Sequence, residues 1–190
     1  MLQKDFNLLE IPNEFYSESN GKKFINCSLC NTNLIDTRDY YIIEKVFVKK
    51  IGSENRELLF EYALCGKCHQ DLRSELSEES KKNLDMYFKL YIKPIGEIKD
   101  TKDFIKNKLS KCFVSNNNVF ELDEYQIIGH FLEDKIMLDM GLPIVIGPQA
   151  IEEIQELLSK PTKDIIDGFT DKVLPPHYHD IVPQDKFILI

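Results

Sequence analysis

The chain has no tryptophan, only eight glycines and four histidines, and no long apolar run. Without clustered glycines there is no phosphate-cradling loop, and no Ser-His-Asp set can be assigned by spacing. No window approaches the roughly 18 apolar residues of a membrane helix. The opening Met1-Leu2-Gln3-Lys4-Asp5-Phe6 lacks the apolar core of a signal peptide, so a cytoplasmic location is expected. Basic residues are also short, 24 against 32 acidic, for a formal charge of −8. That balance makes nucleic acid an unlikely partner, because sequence-independent binding needs clustered Lys and Arg to neutralise phosphates. With 43% hydrophobic and 29% charged residues among 190, the rest is the composition of a folded globular protein.

Cysteine is scarce too, but four of its five copies form two hooks, Cys27-Ser28-Leu29-Cys30 and Cys65-Gly66-Lys67-Cys68. A two-residue gap lets both sulfurs of a hook reach one tetrahedral ion. In a compartment that keeps thiols reduced, such pairs read as metal ligands before they read as disulfides. The predicted site is therefore one structural zinc ion held by Cys27, Cys30, Cys65 and Cys68. A closed shell of four thiolates leaves no open position for water, which points to a structural metal and not a catalytic one.

Around the hooks, Tyr40 to Val48 is rich in β-branched and aromatic residues, Gly52 to Asn55 marks a turn, and Glu57 to Leu64 can return as the partner strand. Asn31, just after the first hook, suits a left-handed turn. Leu72 and Leu76 repeat at helical spacing after Cys68, placing the second hook at a helix N-terminus. Ser77 can cap a second helix that should end before Pro94, and Thr101 a third carrying Phe104, Ile105 and Leu109.

The chain also matches itself. At an offset of 85, Cys27 falls on Cys112, Asn31 on Asn116, Asn33 on Asn118, Tyr40 on Tyr125, Ile42 on Ile127 and Ile43 on Ile128. Farther on the offset becomes 82, placing Leu76-Ser77 on Leu158-Ser159 and Leu84 on Ile166. The second copy would replace Cys30 by Ser115, Cys65 by Gly147 and Cys68 by Ala150, leaving Cys112 as a relic in a unit without metal. Burial of Ile127, Ile128, Phe131 and Ile144 to Ile146, with a helix face of Ile151, Ile154, Leu157 and Leu158, would hold that copy together. The expected organisation is a lead-in over 1–26, a zinc unit over 27–93, a helical linker over 94–111, a degenerate unit over 112–172 and a tail over 173–190.

The order knuckle, hairpin, then helix carrying the second hook resembles the treble-clef zinc folds and, more loosely, the zinc ribbons, over residues 25–78. The resemblance implies a structural tetrahedral zinc at the four sulfurs. The expected fold class is α+β, with tandem knuckle–β-hairpin–helix units of which the second is degenerate and metal-free. The function expected is that of a zinc-stabilised, non-catalytic cytoplasmic protein acting on an unidentified protein partner, with no membrane association.

Two alternatives come from other classes. Leu64 to His69 is similar to the second hook of zinc-bearing HNH nucleases, but those need a histidine on the preceding strand and this chain has none there. A basic face of Lys45, Lys49, Lys50 and Lys67 would favour such a nucleic-acid module. Cys65-Gly66-Lys67-Cys68 also looks like the redox hook of thioredoxin-like proteins, which would make Cys65 and Cys68 a thiol oxidoreductase pair. His69 is expected exposed on the first helical turn, His130 partly buried in a strand, and His177 and His179 solvated between prolines of the tail.

Overall fold

The computed structural model describes residues 7–49, 55–92, 98, 100–138 and 141–173. In chain order the described elements are β1 (Asn7–Glu10), β2 (Tyr41–Lys49), β3 (Arg56–Cys65), α1 (Gly66–Glu75), α2 (Glu78–Tyr91), α3 (Thr101–Leu109), β4 (Glu124–Leu132), β5 (Lys135–Leu138), β6 (Ile144–Ile146), α4 (Pro148–Leu157) and α5 (Lys160–Val173). Short 3₁₀ turns lie at Asn13–Phe15 and Val119–Glu121. The expected mixture of helix and antiparallel sheet is present, and no described helix is long and apolar enough to cross a membrane.

The strands form one sheet in the order β1-β5-β4-β2-β3, with β6 also on β4, and every named pair is antiparallel. The predicted hairpin arms are β2 and β3, whose side chains alternate because strand neighbours point to opposite faces. Tyr62 meets Phe169 of α5 edge-on at 5.3 Å, so its side of the sheet faces the helices. Ile42, Glu44 and Val46 share that side, being directly opposite Leu64, Tyr62 and Phe60.

The opposite side is covered by residues 11–19. Phe15 is fully buried and packs edge-on against Phe131 at 5.0 Å. The ring needs the hydrogen of Gly129 beneath it, since a Cβ there would lie 3.1 Å from Phe15. Lys45, with no exposed surface, donates to the Tyr16 carbonyl at 2.6 Å and meets Glu18 at 2.9 Å and Glu61 at 3.5 Å. Glu61 in turn accepts from the Ser17 hydroxyl at 2.6 Å. The stretch expected as a lead-in thus supplies β1 and one wall of the core.

The cap of helix α3 lies one residue before the expected Thr101: Asp100 accepts the Lys102 and Asp103 N–H groups, and Thr101 is the first helical residue. Its Ile105 and Leu109 are buried and it packs beside β6, so the region expected as a linker belongs to the same core.

Several features recur along the chain. Helices α4 and α5 each begin and end 82 residues after α1 and α2: 66 to 148, 75 to 157, 78 to 160 and 91 to 173. The bridge Asn26–Asn33 is matched by Lys111–Asn118, and the left-handed Asn31 (φ 60°) by Asn116 (φ 59°). The strand match at 85 does not hold, however. Ile42 lies directly opposite His130, whereas Ile127 lies opposite Lys45 on the other face. Superposing Ile42 on Ile127 would turn the strand inside out, because a one-residue slip reverses every side chain. The ladders support 84: Ile42 pairs with Leu64 as Gln126 pairs with Ile146, and Leu64 and Ile146 are 82 apart.

Candidate metal centre

The first hook is a closed knuckle. Cys27 N–H donates to the Thr32 carbonyl at 2.9 Å and Asn31 N–H to the Cys27 carbonyl at 2.9 Å, a turn that Asn31 permits by adopting positive φ. The knuckle is fastened to β3: Ser28 N–H donates to the Ala63 carbonyl at 2.8 Å, and the Ser28 hydroxyl accepts from Ala63 N–H at 3.1 Å. These two bonds carry the first hook to the end of β3, where the second begins.

Cys65 ends β3 and is the N-cap of α1, its sulfur accepting Cys68 N–H at 3.5 Å. Gly66 makes the passage possible. A Cβ there would sit 2.7 Å from Asp39 Oδ2 and 2.9 Å from the Tyr40 carbonyl, to which Gly66 N–H donates at 2.8 Å. The Cys65 N–H points at Cys27 Sγ, 3.4 Å away, so the hooks are joined by a backbone-to-sulfur bond as well.

The sulfurs of Cys27, Cys30, Cys65 and Cys68 all lie within 4.8 Å of one another, and Cys30 Sγ is 3.7 Å from Cys65 Sγ. Zinc–sulfur bonds of about 2.3 Å in a tetrahedron require sulfurs about 3.8 Å apart. Four close cysteines can thus coordinate a metal ion, and the set suits zinc. No other such group of His, Cys, Asp and Glu side chains occurs among the described residues.

The four thiols are not equivalent. Cys27 and Cys65 are buried and Cys30 is exposed. Hydrogen bonds from the Thr32 hydroxyl and then its backbone lower Cys30 to about 6. Burial pushes Cys65 up, and burial followed by hydrogen bonding to Cys30 and Cys65 raises Cys68. The exposed, lowered thiol of Cys30 is what a soft cation would meet first, and binding through all four sulfurs would release protons.

Comparison with family models, curated proteins and solved structures finds no match to this chain.

His69, expected at the surface, is only 6% exposed. Helix α1 lies against β2 and β3, and this turns the residue after Cys68 inward, where Nδ1 is 3.0 Å from the Tyr40 hydroxyl. Of the four lysines of the expected basic face, Lys45 is inside the protein, Lys49 is half-buried at the end of β2, Lys67 pairs with Asp71 one turn on, and Lys50 lies outside the described residues. His130, expected partly buried, lies in β4 and is buried, and His177 and His179 lie outside the described residues. Thr32 and Gly66, which tune and admit the hooks, escape sequence reasoning; the signal for Thr32 is its position two residues after a sulfur.

Proposed function

We propose that Cys27, Cys30, Cys65 and Cys68 bind one structural zinc ion in a treble-clef-like unit, that the second half is a metal-free counterpart of it, and that the protein acts by contacts with other proteins and not by catalysis. The convergence of the four sulfurs carries the reading. Three arrangements support it: the knuckle fastened to β3, the second hook at the start of α1, and backbone N–H groups directed at the sulfurs of Cys27 and Cys65. The second half supports its part with the same bonds. Cys112 N–H donates to the Asn117 carbonyl at 2.9 Å, Phe113 N–H to the Val145 carbonyl at 2.9 Å, and Gly147 N–H to Cys112 Sγ at 3.3 Å. Exposed Ile25 and Leu29 beside the first hook, and Met86 and Leu90 a turn apart on α2, supply apolar surface for a partner.

A thiol oxidoreductase fits less well. A redox hook needs its first cysteine accessible and its pKa lowered, but here Cys65 is buried and raised, and the lowered thiol belongs to the other hook. The nucleic-acid reading loses Lys45 to the interior and keeps a charge of −8. A reducing compartment, the cytoplasm, is the setting in which four free thiols would keep their metal.

Elemental analysis of protein purified without added metal should find one zinc per chain. Cys68→Ser should lose it and, because structural zinc contributes on the order of 10 kcal/mol to folding, should melt far below the wild type. Wild-type protein with no metal, or a Cys68→Ser variant with unchanged zinc and melting temperature, sinks the proposal.

A further inference from the structure

We propose that the metal-free half is the built-in partner of the metal half, the two forming an intramolecular dimer with exchanged second helices, so that α5 completes the surface beside the four sulfurs. This rests on the reading of the halves as related units and adds how they are joined. An isologous interface has a signature: where residue i meets j', residue j meets i'. The sheet has it. Ile42 pairs with His130 and Val46 with Gln126, each partner being the 84-shifted equivalent of the other's, and Glu44 pairs with Ile128, its own equivalent. The pseudo-twofold axis therefore passes between Glu44 and Ile128.

The helix layer repeats the signature at independent residues. Ser77 and Ser159 precede α2 and α5, and their hydroxyls lie 2.9 Å apart. Ser77 N–H donates to Thr162 Oγ1 at 3.0 Å, and Ser159 N–H to Ser80 Oγ at 2.8 Å. Ser80 and Thr162 have no exposed surface, so these crossed bonds lie in the interior. Beyond this point the chains cross over: α5 packs on α1 and α2 packs on α4.

Each first helix is thus covered by the second helix of the other half. On the metal-free side, Tyr87 of α2 donates to Glu153 of α4 at 2.6 Å and Phe88 stacks on Phe113 at 5.7 Å. On the metal side, Ile165, Phe169 and Lys172 of α5 face Leu29, Cys68 and Leu72 across a groove of about 130 Å³. The surface through which such a unit would take a second copy is occupied within the chain, and α5 is seated on the elements that carry the sulfurs.

Hydrogen–deuterium exchange on the full chain tests this without relying on metal. Leu72→Ala, which removes α5's seat on α1, should speed amide exchange in residues 160–173 at least tenfold more than in residues 78–91, although the latter are nearer in sequence. Should that variant fail to fold, the half-buried Ile165→Ala should speed residues 66–75 more than 148–157. Exchange that rises instead in 78–91, or that leaves α5 unchanged, overturns the proposal. Zinc content of the same samples separates the two readings: exchange linking α1 to α5 in protein without zinc would keep the exchanged dimer and discard the metal.

Discussion

Glu44 occupies a position where no unpaired carboxylate belongs. It is 1% exposed, sits at the centre of the sheet between Tyr62 and Ile128, and accepts a hydrogen bond from the Tyr62 hydroxyl while its Oε1 has no partner among the described residues. Burial pushes its pKa up to about 8, with the Tyr62 bond acting in the opposite direction. A carboxyl with a folded pKa above its unfolded value of 4.5 holds its proton better in the native state, so its stabilising effect is complete below that value and disappears as pH rises through about 8. Glu44→Gln removes the titration while keeping an oxygen for Tyr62. Its melting temperature should gain on the wild type between pH 5 and pH 9, measured in parallel so that any titration of the cysteines cancels. Parallel profiles for the two proteins would show that Glu44 is not held neutral. Lys45, on the other face, is a buried charge of the satisfied kind, with a carbonyl and two carboxylates around its ammonium.

At the scale of elements, the junction of β3 with α1 is the tightest place near the candidate site. A methyl group on Gly66 would have to displace the Tyr40 carbonyl, which is backbone and already bonded to Gly66 N–H. Gly66→Ala should therefore cost about 2 kcal/mol, the usual scale of overpacking. It should also weaken metal retention against a chelator; urea unfolding and zinc release curves that match the wild type would contradict this. Such local chemistry also explains what can be read from sequence. Both hooks, the arms β2 and β3, the Ser77 cap and Pro148 in the first turn of α4 are legible because spacing, alternation and capping act within a few residues. What is not legible depends on distant neighbours. The burial of Lys45 needs residues 16–18 folded across the sheet, and the inward turn of His69 needs α1 laid against β2. The strand offset shows the same limit: identities at 85 attract the eye, but which side of a strand is buried is decided by its partner's register.

At the scale of the molecule, the proposed second half lacks three of the four residues that would hold metal in the first. Cys112 keeps its place, with Gly147 N–H on its sulfur, while Ser115, Gly147 and Ala150 stand where the first half has Cys30, Cys65 and Cys68. A Cβ added at Gly147 would point at Cys112, 3.3 Å from its sulfur and 3.4 Å from its Cβ, and would press on that sulfur and on the end of the Leu122 side chain at 3.1 Å, both of which must give by a few tenths of an ångström. The backbone there is extended, with φ −95°, so a side chain is tolerated. If the second half is a unit that has lost its ligands and kept its frame, the triple variant Ser115→Cys, Gly147→Cys, Ala150→Cys should bind a second ion. Cobalt titration would then saturate at two equivalents per chain, with thiolate charge-transfer absorption, where the wild type saturates at one. Adding Cys112→Ser to the triple variant should remove the second equivalent and spare the first. A folded triple variant that still takes up a single ion would mean that the second half resembles the first in its bonds and helix boundaries alone, its interior having closed around Phe113, Tyr87, Phe88 and Tyr91.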